Sequence, residues 1–88
     1  MKNITFDPDA RSGFLESISY YEECRVGLGR RFRDVVESAV QSISEAPFRY
    51  RVLQAPFRRC VLQKFPYAII YRITYETQPI LHLEHVIP

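Results

Sequence analysis

Two stretches with apolar residues at helical spacing meet at Gly27-Leu28-Gly29, and this pairing constrains the fold more than any other feature. Ala10, Phe14, Ile18 and Tyr21, widened by Leu15, make the first stripe. Phe32, Val35, Val36, Ala39, Val40 and Ile43 make the second. Recurrence at three- and four-residue steps places each set on one side of a helix, so both stripes read as core. The glycines permit positive φ, and so short a link turns the second helix back antiparallel to the first. Asp7 offers a capping oxygen, Pro8 suits the first helical position and Asp9 favours the positive end of the dipole. The first helix is therefore expected from Pro8 to about Cys24, and the second from Arg30 to Glu45, where Pro47 ends it. A G-x-G with no preceding strand and no third glycine is not a phosphate loop.

Strand-like runs flank this hairpin. Lys2 to Phe6 reads as a short strand, and Ala46 to Pro56, with its two prolines, as a loop. Arg58 to Gln63, Tyr67 to Tyr75 and Pro79 to Ile87 then follow as strands joined by tight turns. Alternation in the middle run sets Tyr67, Ile69, Tyr71, Ile73 and Tyr75 against Ala68, Ile70, Arg72 and Thr74. In the last run it sets Leu81, Leu83, His85 and Ile87 against Ile80, His82, Glu84 and Val86. The expected architecture is α+β, in the order β-α-α-β-β-β, as a single domain over residues 1–88. Both helices pack on one face of a mainly antiparallel sheet. The other face carries apolar groups with nothing in this chain to cover them, which marks a surface for a partner.

The composition agrees with a packed domain: 47% of residues are hydrophobic and 25% charged. No apolar run approaches the roughly 20 residues of a membrane span, and Met1 to Thr5 lacks a signal-peptide core, so a cytoplasmic location is expected. Cys24 and Cys60, without a CxxC neighbour, read as reduced thiols. Net charge is only +2, yet its distribution is uneven. Between Ala46 and Tyr75 there is no acidic residue, while Arg49, Arg51, Arg58, Arg59, Lys64 and Arg72 all fall there. Ten of the twelve cations are arginine, which favours planar, bidentate contact with an anionic partner.

No HExxH, GxSxG or Walker sequence occurs. Alternation would send His82 and His85 to opposite faces of a strand, out of reach of a common metal. No metal and no cofactor is expected. One enzymatic route stays open, because phosphodiester cleavage in RNA can run on Arg and Lys that stabilise the developing phosphate charge. Arg58, Arg59, Lys64 and Arg72 would be its material, although alternation separates Arg58 from Arg59.

Tyr20-Tyr21-Glu22 before Gly27-Leu28-Gly29-Arg30-Arg31-Phe32, then Ile43-Ser44-Glu45-Ala46-Pro47, then Arg58-Arg59-Cys60-Val61-Leu62-Gln63-Lys64-Phe65-Pro66-Tyr67-Ala68-Ile69-Ile70-Tyr71-Arg72-Ile73, resemble the ParE/RelE superfamily of toxins. These are the small toxins of bacterial type II toxin–antitoxin, or plasmid stabilisation, systems. The resemblance spans nearly the whole chain. It implies a toxin held in a hetero-oligomer with a cognate antitoxin whose tail lies across its surface, with Arg58, Arg59, Tyr71 and Arg72 as partner-binding candidates. RelE-like members cut mRNA on the ribosome, whereas ParE-like members act on DNA gyrase. The nuclease branch typically carries an Arg where this chain has Ala68 and a second strand cation where it has Val61, and its Arg beyond the last strand has no counterpart before Pro88. The wording therefore favours the ParE-like branch. The alternatives are a RelE-like ribonuclease using Arg58, Arg59, Lys64 and Arg72, and a non-toxic member, without the branch's His/Arg-rich tail, that keeps only antitoxin binding.

Overall fold

A computed structural model describes residues 3–88. The elements run β1 (Asn3–Phe6), α1 (Pro8–Cys24), α2 (Leu28–Glu45), β2 (Arg51–Gln54), β3 (Phe57–Val61), β4 (Ala68–Tyr75) and β5 (Pro79–Ile87). The expected first strand is present from Asn3 onward, and Lys2 lies outside the described residues. The five strands form one sheet in the order β1-β5-β4-β3-β2, antiparallel except where β1 runs parallel to β5.

The hairpin is built as the apolar stripes require. Asp7 caps α1 by accepting from the Ala10 amide at 3.0 Å. Gly27 sits at φ 88, a left-handed conformation that an L side chain resists. The second helix starts at Leu28, two residues earlier than expected, so Gly29 lies inside it. A side chain there would drive its Cβ into the Ile18 carbonyl oxygen of α1, so Gly29 is what lets the helices approach. Gly27 has no capping side chain of its own. Glu22 substitutes from α1, its carboxylate accepting from the amides of Gly27 (2.8 Å) and Gly29 (3.1 Å).

Phe14, Phe32, Val36 and Ile43 of the helices close on Ile69, Tyr71, Leu81, Leu83 and Val86 of the sheet. The rings of Tyr21, Phe32, Phe65 and Tyr67 interlock at one end, with centroids 4.9 to 6.1 Å apart. Phe65-Pro66-Tyr67 thus combines turn and core. Leu15, by contrast, points outward and does not widen the buried stripe.

Three further expectations, all in the sheet, need correction. Residues 51–54, read as loop, form an edge strand paired with β3. All four of its residues are exposed, so no inward apolar alternation betrayed it, and the flanking prolines masked it. The next strand is Phe57–Val61 and not Arg58–Gln63, because Lys64 at φ 71 and the bond from Leu62 N to Tyr67 O already belong to the turn. Finally, β5 carries a bulge. Tyr71 pairs with Leu83 and Ile70 with His85, leaving Glu84 without a partner. One extra residue reverses the alternation beyond it. Val86 therefore turns inward, while His85 and Ile87 turn outward. His82 and His85 consequently share a face instead of opposing each other.

Candidate partner-binding face

The helices cover the side of the sheet holding Ile69, Tyr71, Leu81 and Leu83. Among the described residues no second layer covers the opposite side, although Ile70 at its centre is only 6% exposed, shielded by its neighbours. Register places Arg51, Arg59, Ile70 and His85 in one row across the four strands β2-β3-β4-β5 of that open face. Val61, Ala68 and Ile87 form the adjacent row at its end. Val61 is 64% exposed and Ile87 45%, so this row is an aliphatic shelf open to solvent. On the other side of the arginine row lie Arg72 and His82, then Thr74 and Ile80.

That second polar region is internally satisfied. Arg72 Nε donates to Glu84 Oε1 at 2.5 Å, a pair only partly exposed. His82 has both ring nitrogens engaged, Nδ1 with Thr5 Oγ1 and Nε2 with Thr74 Oγ1, each at 2.8 Å. The imidazole thereby ties three strands together. Among the described residues no group of three or more His, Cys, Asp and Glu side chains gathers as a metal site would need.

The sequence-derived candidates divide between the faces. Arg58 lies on the helix side and donates from Nη1 to the carbonyls of Tyr50 (2.8 Å) and Phe48 (3.3 Å), its guanidinium 5.2 Å from the Phe48 ring centre. It organises the loop after α2. Tyr71 is fully buried, and its hydroxyl donates to the Pro47 carbonyl at 2.6 Å. Burial pushes that phenol up to about 12. Tyr71 is thus a core residue and drops out of the partner-binding surface. Arg59 and Arg72 do share the open face, but Arg72 is neutralised by Glu84. Lys64 belongs to the β3–β4 turn and lines a different feature altogether. The four cations of the nuclease reading therefore do not converge on a common point.

Sequence reasoning missed Arg51 as a site residue, because its strand was read as loop. The register Arg51↔Arg59 sets the two arginines directly opposite each other. A basic residue inside an Arg-Val-Leu-Gln run between two turn signals was the one available hint.

A cleft of about 480 Å³ lies between α2 and β3, lined by Asp34, Ser38 and Ser42 on the helix side and by Cys60, Leu62 and Lys64 on the other. Pairing with β2 reaches only to Arg59, so the edge of β3 at Cys60 and Val61 is open beside this cleft. Burial raises the pKa of the Cys60 thiol, and both cysteines are free. No helix is long and apolar enough to cross a membrane, among the described residues.

The chain was compared with known proteins. A family model described as "ParE toxin of type II toxin-antitoxin system, parDE" matches residues 4–86. No curated protein matches.

Proposed function

This chain belongs to the ParE toxin family of type II toxin–antitoxin systems, and from that premise we propose that it poisons DNA gyrase by protein contact and is silenced by a cognate antitoxin. The observation that carries the reading is the uncovered sheet face, where unpaired arginines stand beside an aliphatic shelf. Interfaces between proteins favour this mixture of arginine and apolar anchors. The antitoxin occupies the cleft between α2 and β3, where an extended segment can add to the open edge at Cys60 and Val61. Such a complex is a cytoplasmic hetero-oligomer. Ribonuclease chemistry on the ribosome is the weaker reading, because Arg58 is spent on backbone carbonyls, Arg72 on Glu84, and Lys64 lies in a turn. Electrostatic stabilisation of a phosphorane needs those cations aimed at one point.

Expression in a bacterial host tests the proposal directly. Growth arrest relieved by co-expressing the neighbouring reading frame is expected, together with loss of gyrase supercoiling at micromolar purified protein. Unaffected supercoiling with cleavage of ribosome-bound mRNA would move the chain to the RelE-like reading. Antitoxin capture without growth arrest would make it a non-toxic binding member.

A further inference from the structure

We propose that Arg51 and Arg59 form a two-arginine clamp for a carboxylate of an acidic, aliphatic protein segment, whose apolar side chains rest on the Val61–Ala68–Ile87 shelf. This rests on the toxin reading above and specifies the chemistry of the partner on the open face.

The register that makes Arg51 and Arg59 direct cross-strand neighbours is the first support. Side chains so placed lie about 5 Å apart at Cβ, and like charges in that position repel. A free-standing sheet gains nothing from the arrangement. The other two arginines on the strands are relieved: Arg72 has Glu84, and Arg58 has two carbonyl oxygens. Among the described residues neither Arg51 nor Arg59 has a carboxylate or any other hydrogen-bonding acceptor. Two guanidinium forks left without acceptors side by side offer donors for a shared anion, which bidentate geometry suits.

Protein is favoured over nucleic acid by what lies next to the clamp. The neighbouring row is aliphatic, with no ring on which a base could stack. The row holds only two arginines before the apolar Ile70, and Glu84 stands close by on β5, which does not suit a repeating phosphate backbone. A carboxylate flanked by Leu- or Val-like side chains satisfies both rows at once.

The test is an NMR titration of the whole chain with a synthetic dodecapeptide alternating glutamate with leucine and valine. Its lysine counterpart and an oligo-dT of twelve nucleotides serve as comparisons. The acidic peptide is expected to shift the Nε–H signals of Arg51 and Arg59 and the methyl signals of Val61 and Ile87. Arg51→Gln and Arg59→Gln each weaken it about tenfold, which corresponds to ~1.4 kcal/mol, while Arg30→Gln on α2 has no effect. A second readout needs no ligand. Arg51→Glu, which sets opposite charges across the strands, should raise the thermal midpoint by roughly 2–6 °C while abolishing peptide binding. No shift on this face at millimolar peptide would overturn the clamp. So would tighter binding of oligo-dT to the same signals, or an Arg51→Glu midpoint that is unchanged or lower. The growth and supercoiling assays report on the toxin reading separately, so either can fail alone.

Discussion

Tyr71 and Pro47 are joined by a 2.6 Å hydrogen bond from the phenol of a fully buried ring to a loop carbonyl, binding the middle of the sheet to the exit of α2. The same loop is held from β3 by Arg58, which reaches the carbonyls of Phe48 and Tyr50. Two residues that the sequence offers as surface candidates therefore act on the inside of the molecule, positioning the segment that leads into β2.

Replacing Tyr71 with Phe removes that donor and leaves the Pro47 carbonyl without it. The loss should be about 1–2 kcal/mol, read from urea unfolding. The pH dependence has a defined sign. The folded-state pKa is raised to about 12 from an ordinary value of 10.0, so the neutral phenol is favoured by folding. That contribution is complete below pH 10 and disappears as pH rises towards 12. Wild type should thus lose stability more steeply across this interval than Tyr71→Phe; parallel curves would contradict the assignment.

Two glycines in the hairpin should respond in opposite directions. Gly29→Ala forces a methyl against the Ile18 carbonyl and should destabilise by about 1–3 kcal/mol. Gly13 lies within α1 with open space around its would-be side chain, so Gly13→Ala should stabilise by about 0.5–1 kcal/mol. Thermal or chemical unfolding of the pair checks both signs.

Glu22→Ala should expose the amides of Gly27 and Gly29 to solvent, costing about 1 kcal/mol on the scale of a lost helix cap. Hydrogen exchange at those two amides is the readout, and faster exchange confined to the start of α2 is expected.

Arg58 and Arg59, adjacent in sequence, should behave differently. Arg58→Gln should lower stability by about 1–3 kcal/mol, since its charged donors serve two carbonyl oxygens. Arg59→Gln should leave stability unchanged or slightly improved and instead reduce activity in the growth-arrest assay. Unfolding curves and that assay, run on both variants, separate loop anchor from contact residue.

The thiols should label in sequence. Cys24 is exposed and should react with a chromogenic disulfide reagent in the native protein. Cys60 is buried with its pKa raised by desolvation, so its reaction should await unfolding.

Much of the architecture was legible along the chain, because local physics controls it. Helical spacing from Ala10 to Ile43 marks the hairpin, Asp7-Pro8 and Pro47 bound it, and the β-branched and aromatic run to Tyr75 announces the central strand. Arg59 was legible as a cation on the face opposite Arg58 for the same reason, since alternation separates the two.

Three features were decided only in three dimensions. The β2 strand exists because the edge of β3 accepts it, with no buried side chain of its own to leave a periodic trace. The bulge at Glu84 reversed the last strand's facing residues, since one unpaired residue shifts everything beyond it and sequence alternation cannot register the slip. The fate of each cation depended on acceptors distant along the chain, with Glu84 for Arg72 and loop carbonyls for Arg58. Periodicity reports which side of an unbroken element a residue takes; only packing determines where that element breaks and what waits for each side chain.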